Sequence, residues 1–130
     1  MNNLFDIKNN VVVITGGTGI LGRCIAKYLA EEGAKVVILG RKTEIGEAIV
    51  KEIKDNGGEA MFLVTDVMDV KKVKQNCADI LTKYGRIDTL LNAAGGNMPG
   101  ATIGPDSNFF NLKPEEFQTV LNLNLTGTVI

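Results

Sequence analysis

Between Val11 and Gly22 the chain passes from a β-branched run, Val11 to Ile14, through Thr15-Gly16-Gly17-Thr18-Gly19-Ile20-Leu21-Gly22 into helical apolar spacing. Few folds accept that succession. An uninterrupted apolar run reads as a strand buried on both faces, and glycine lets the backbone turn sharply at its end. Ile20, Leu21, Cys24, Ile25, Tyr28 and Leu29 then recur at helical spacing until Gly33, which stands where a helix C-cap glycine belongs. The unit repeats. Lys35 to Leu39 is a second strand, and Ile45, Ala48, Ile49 and Ile53 mark a second helix ended by Gly57-Gly58. Ala60 to Val64 is a third strand, followed by a helix with Val70, Val73, Cys77, Ile80, Leu81 and Tyr84 on one face, Asp69 as N-cap and Gly85 as stop. Thr89 to Asn92 is a fourth. Strands alternating with helices of about ten to fifteen residues predict parallel βαβ units, with right-handed crossovers placing helices on both faces of one sheet. The expected class is α/β, three-layered, with a doubly wound parallel sheet.

Length and composition fit one such domain, expected over residues 1–130: 45% hydrophobic and 22% charged residues can build a buried sheet with a solvated surface. The net charge is −1 and the 14 basic residues are dispersed, so neither nucleic acid nor a membrane surface is an expected partner. No apolar run approaches the roughly 20 residues of a membrane span, and the start, with Asp6 and Lys8, lacks a signal-peptide layout; the expected location is the cytoplasm. Cys24 and Cys77 fall at apolar-face positions of separate helices in a chain without histidine, which predicts buried free thiols and no metal site.

Residues 96–113 break the alternation. Gly, Pro, Asn, Asp and Ser with the pair Phe109-Phe110 predict a long loop partly held by aromatic packing. Lys113-Pro114-Glu115-Glu116 opens a last helix with proline and acidic residues in its first turn, and Phe117, Val120, Leu121 and Leu125 form its apolar face. The chain closes at Ile130 with no glycine, proline or polar stop, so the expectation is a truncated domain.

A glycine turn between a buried strand and a helix suits the pyrophosphate of a dinucleotide. The backbone approaches the phosphates without a Cβ, and the unpaired amides of the first helical turn donate to their oxygens. A dinucleotide fold that selects NAD carries a carboxylate at the end of its second strand, where it accepts from the ribose 2′-hydroxyl and repels a 2′-phosphate. Here that place reads Leu39-Gly40-Arg41-Lys42. With Arg41 able to pair with a 2′-phosphate or stack on adenine, NADP is favoured over NAD; a solvated helix start is the other reading of the two cations.

The turn resembles the Thr-Gly-x-x-x-Gly-x-Gly signature of the short-chain dehydrogenase/reductase family in its first two and last residues, while Gly16-x-x-Gly19-x-x-Gly22 is spaced as in the extended, epimerase-type branch. Asp66-Val67 after the third strand looks like the family's adenine-ring contact, and Asn92-Ala93-Ala94-Gly95 resembles its Asn-Asn-Ala-Gly motif. In Asn122-Leu123-Asn124-Leu125-Thr126-Gly127, which resembles the Asn-x-x-Gly element, Asn124 is the matching residue. The resemblance implies a Rossmann fold that binds NAD(P) through Gly16, Gly17, Thr18, Gly19, Ile20, Leu21, Arg41, Asp66, Val67, Asn92, Ala93, Ala94 and Gly95. It gives Asn124 a catalytic part, holding a water that links the catalytic lysine into a proton relay.

Residues 92 to 110 resemble the D-mannonate oxidoreductase (fructuronate reductase) subgroup, which implies hydride transfer between nicotinamide and a sugar acid, with Asn97, Thr102, Asp106, Ser107 and Asn108 as polar loop residues able to meet such a small-molecule substrate. The family's mechanism needs a Ser and a Tyr-x-x-x-Lys. Neither Tyr28 nor Tyr84 is followed by lysine four residues later, so this chain alone is expected to be inactive and the whole protein an oxidoreductase that assembles as a tetramer or dimer. Two alternatives stay open: a non-catalytic NAD(P)-binding module, and an extended-type nucleotide-sugar epimerase or dehydratase. With half a doubly wound sheet leaving an apolar edge uncovered, the isolated chain is expected to self-associate.

Overall fold

The structure, a computed structural model, describes residues 5–130; the first four residues of the expected 1–130 domain lie outside the described residues. Strands β1 (Val11–Thr15), β2 (Lys35–Gly40), β3 (Glu59–Val64) and β4 (Thr89–Asn92) form one parallel sheet in the order β3-β2-β1-β4. Helices α1 (Ile20–Glu31), α2 (Thr43–Asp55) and α3 (Val70–Tyr84) are the crossovers between them. Each predicted strand is present, with ends moved by one residue at most: β1 runs on to Thr15, β2 to Gly40, and β3 begins at Glu59.

Alternation along the central strands builds two cores. Val12, Ile14, Val36 and Ile38 point to one face, where they meet Ala26 and Ala30 of α1 and Ile49 and Ile53 of α2. Val11, Val13, Val37 and Leu39 point to the other, against Ile80 of α3. This is the three-layer, doubly wound arrangement, and the burial of all five β1 residues accounts for the absence of polar alternation in that strand.

Helix α1 departs from its expected face. Its buried positions are Gly22, Ala26 and Ala30, whereas Ile20 and Leu21 are 77% and 75% exposed and Tyr28 is 61% exposed. The cause is proximity: a Cβ on Gly22 would lie 2.5 Å from the Gly16 carbonyl oxygen, so the helix sits too near the turn to present anything larger. The same rotation exposes Cys24, and Cys77 is exposed on α3, where Asn76 takes the buried position beside it; the expectation of buried thiols is corrected on both counts. Ala48 of α2 is exposed too, Gly46 being buried instead.

After β4 the chain forms short 3-10 turns at Pro99–Ala101 and Phe109–Asn111, then helix α4 (Pro114–Leu121), a π-helical turn (Asn122–Thr126) and a last short helix α5 (Gly127–Val129). Phe109 and Phe110 meet edge to face at 5.9 Å yet are 68% and 91% exposed, so the pair packs on itself and does not pin the loop. What holds the loop is polar: the Gly100 amide donates to Glu116 Oε2 at 2.7 Å, and the Lys113 amide to the Gly100 carbonyl at 2.8 Å. The expected apolar face of the last helix is largely uncovered, with Phe117 48% and Leu125 63% exposed.

At the opposite end of the sheet, Asp88 joins the start of β1 to the entry of β4. Its Oδ2 accepts from the Val11 amide at 2.8 Å, and Arg86 donates to both carboxylate oxygens. The Arg86 hydrogen bond first, and the Val11 amide second, hold the Asp88 carboxyl below its ordinary pKa. A carboxylate with a depressed folded-state pKa contributes stability that is complete above its unfolded value and is lost as pH falls through the folded one. Asp88→Asn should therefore flatten the acid limb: in urea titrations between about pH 6 and about pH 3, its midpoint should fall less than that of the wild type. Equal slopes for the two proteins would refute the link.

Candidate functional site

Because the strands are parallel, their C-terminal ends lie together, and four separate exits open on one cleft of about 250 Å³. The turn after β1 contributes Gly16, Thr18 and Gly19; the exit of β2 contributes Gly40, Arg41 and Lys42; that of β3, Thr65, Asp66 and Val67; that of β4, Ala93, Ala94 and Gly95. Leu123, on the π turn, closes one side.

The walls touch where they cross. Gly16 has φ +66°, and a Cβ there would lie 2.5 Å from the Ala93 carbonyl oxygen and 2.7 Å from the Ala94 Cα, so both conformation and space require glycine. Thr15 fastens the same junction, its Oγ1 accepting from the Ala93 and Ala94 amides, each at 3.2 Å. A Cβ on Gly40 would come 2.7 Å from the Thr18 hydroxyl, which sets the turn directly against the exit of β2.

Helix α1 enters this cleft bare. Its N-cap is Gly19, with no side-chain capping bond and no acidic residue in the first turn, whereas α3 is capped by Asp69 accepting from the Lys72 amide. The first-turn amides of an uncapped helix lack intrahelical acceptors and carry the positive end of its dipole, a donor set suited to an anion. Arg41 and Lys42 add positive charge, are exposed, and make no ion pair among the described residues; Asp66 is the one carboxylate on the lining. The Asp66 Oδ1 accepts from the Met68 amide at 2.9 Å, fixing the turn into α3.

The remaining sequence-predicted residues lie beside the cleft and not on it. Gly17 faces the sheet, where a Cβ would meet Ile38 Cγ2 at 2.8 Å. Ile20 and Leu21 are the exposed opening residues of α1. Asn92 pairs with Thr15 at the end of β4 and lines a second, mainly apolar cavity beneath the sheet. Asn124 clamps the cleft floor: its Oδ1 accepts from the Gly96 amide at 3.2 Å, and its Nδ2 donates to the Gly96 and Val120 carbonyls at 2.7 and 2.8 Å. A Cβ on Gly95 would lie 2.6 Å from Asn124 Oδ1, so that glycine admits the clamp. Sequence reasoning missed Thr65 and Leu123, each directly preceding a residue it did single out, as well as the π turn that carries Asn124. Insertion of one residue into a helical repeat marks such turns, and they concentrate at functional sites.

Neither tyrosine reaches the cleft. Tyr28 is on α1, and Tyr84 closes α3 beside Lys35 at the start of β2, where burial, then the charge of Glu59, pushes its hydroxyl up to about 12. Among the described residues no cluster of histidine, cysteine and acidic side chains could hold a metal ion, and no helix is long and apolar enough to cross a membrane.

Comparison with known proteins agrees with this geometry. Residues 10–130 match the model of the short chain dehydrogenase family. An uncharacterized oxidoreductase, UxuB, from Bacillus subtilis is 38% identical, the match covering 96% of this chain and 48% of that protein. Among solved structures, one described as a candidate D-mannonate oxidoreductase from Haemophilus influenza, with bound NAD, superposes with a TM-score of 0.87 at 31% identity over 95% of this chain and 48% of its own. An actinorhodin polyketide ketoreductase with NADPH superposes with a TM-score of 0.82 at 30% identity over 93% of this chain and 44% of its own. The chain thus spans about half the length of the curated relatives it matches.

Proposed function

Because the chain belongs to the short-chain dehydrogenase family, we propose that its cleft binds NAD(P) and that it supplies the cofactor-binding half of an oxidoreductase. The observation that carries this reading is the uncapped N-terminus of α1, opening beside a turn where Gly16 leaves no room for a Cβ. The amides of that first turn bind the pyrophosphate, Asp66 and Val67 border the adenine, and Ala93 to Gly95 form the wall towards the nicotinamide. Asn124 keeps that wall in place through Gly96. The bound nicotinamide supplies a hydride donor or acceptor; the chain's own residues orient it and keep the strand exits fixed.

For the whole protein we place the substrate among sugar acids, with fructuronate and mannonate interconversion as the reaction, on the resemblance of residues 92–110 and the name carried by the Haemophilus structure. Asn97, whose Nδ2 donates to Thr102 Oγ1 at 2.8 Å, belongs to the loop that would meet that substrate. Oligomeric assembly and a cytoplasmic setting complete the proposal.

Arg41 selects NADP in this scheme. Calorimetry of the purified protein should give an NADP dissociation constant below about 1 mM. In Arg41→Ala the loss of one charge-assisted contact to a phosphate should weaken NADP about tenfold and leave NAD nearly unchanged. Equal weakening of both would remove Arg41 from the 2′-phosphate, and a folded protein that binds neither would overturn the reading of the cleft.

A further inference from the structure

Helix α3 buries two side chains, Ile80 and Asn76, and the second is an amide only 1% exposed. Its Nδ2 donates to Thr65 Oγ1 at 2.6 Å and lies 3.5 Å from the Val64 carbonyl. Its Oδ1 has no hydrogen-bond partner among the described residues, and the residue lines the second cavity, about 190 Å³, whose walls include Val13, Val73, Ile80 and Leu90. A buried amide with one unsatisfied end is costly where a leucine of similar size would sit without cost. Stability alone gives no reason for asparagine here.

Thr65 gives one. It is 2% exposed and belongs to both cavities, forming the partition between the apolar one and the cleft. Its hydroxyl accepts from Asn76 and donates to the Leu63 carbonyl at 2.9 Å, which fixes its rotamer. Its amide donates to the Gly40 carbonyl at 2.9 Å, binding the exit of β3 to that of β2 immediately before Arg41. Asp66 and Val67 follow directly. The amide on α3 therefore locks the strand end from which the candidate adenine border is built.

We propose that Asn76 is a positioning residue for the adenosine side of the cleft, acting through Thr65; the inference rests on the nucleotide reading given above. A preformed border spares the ligand the entropy of ordering it.

The test uses Asn76→Leu, Thr65→Val and the double variant, with calorimetry against NAD and ADP-ribose and with thermal unfolding. Each single variant should weaken both ligands about fivefold, and the double no further than either single, because one link is broken in all three. Asn76→Leu should unfold no lower than the wild type, while Thr65→Val, which leaves the Asn76 Nδ2 only its 3.5 Å contact with the Val64 carbonyl, should unfold lower and be rescued in the double. Wild-type affinity in Asn76→Leu, a loss confined to NAD, or a loss that only accompanies a lowered unfolding temperature would each overturn the positioning role. A folded wild type that binds neither of these ligands nor NADP would overturn the nucleotide reading itself.

Discussion

Gly16→Ala is expected to abolish dinucleotide binding in calorimetry and to lower stability at the same time. At φ +66° an alanine pays roughly 1–2 kcal/mol in backbone strain. Its Cβ must also clear the Ala93 carbonyl oxygen from 2.5 Å, which neither partner can do by rotating a side chain, because the obstacle is backbone. Such overpacking adds roughly 1–3 kcal/mol. The relief available is to swing the turn away from β4, carrying the first amides of α1 with it. If two charge-assisted hydrogen bonds to phosphate are lost, at roughly 1.5–3 kcal/mol each, the affinity falls on the order of a hundredfold or more. Gly57→Ala is the matched control: φ is +82°, but nothing lies within 4 Å of the added Cβ. It should cost only the strain, measurable by urea denaturation, and leave binding intact. Equal binding losses in the two variants would show that the clash at Ala93 does not govern the site.

Ile38→Ala is expected to give the largest purely structural loss, about 2–5 kcal/mol by urea denaturation. Ile38 is fully buried at the centre of β2, between β1 and β3, and faces the core shared with α1 and α2. Large-to-small changes there create a cavity that the flanking strands, hydrogen-bonded on both sides, cannot collapse to fill. Ile38 is also the floor under Gly17, whose added Cβ would stand 2.8 Å from its Cγ2. The glycine turn thus rests on the same side chain. A loss under about 1 kcal/mol would mean that the sheet relaxes there more readily than its pairing implies.

The glycine turn and the central strands β1 and β2 were readable in advance, because burial on both faces leaves an uninterrupted apolar run, and the partly exposed β3 and β4 were readable from their place in the strand-helix alternation. Their C-terminal ends then place Gly16, Arg41, Asp66 and Ala93 together without any knowledge of side-chain contacts. The face of α1 was not readable: hydrophobic spacing points to Leu21, Ile25 and Tyr28, but the sheet is so near that Gly22, Ala26 and Ala30 do the packing, and small residues carry almost no hydrophobic signal. Asn76 misleads in the opposite sense, since a polar residue beside Cys77 points outward on any hydropathy argument. Its burial depends on a partner, Thr65, that belongs to another element. The Asn124 motif could be located, but not the π turn that carries it, because Asn124 acts on Gly96 across 28 residues of chain and no local pattern reports that contact.

The fastening of β1 to β4 sets the order in which this molecule can be made. The Asp88 and Val11 partners are 77 residues apart, and the Ala94 amide is 79 residues from the Thr15 hydroxyl it contacts. Between them the chain must complete three crossovers, through α1, α2 and α3, while the pairing of β2 with β3 and their packing on α2 involve much shorter loops. Closure of long loops is the slow, entropically expensive part of folding a parallel sheet. The glycine turn therefore waits, on a growing or refolding chain, for the last of the four strand exits. A nucleotide of the proposed kind would hold the finished cleft shut, but it would have nothing to grip until that closure is made.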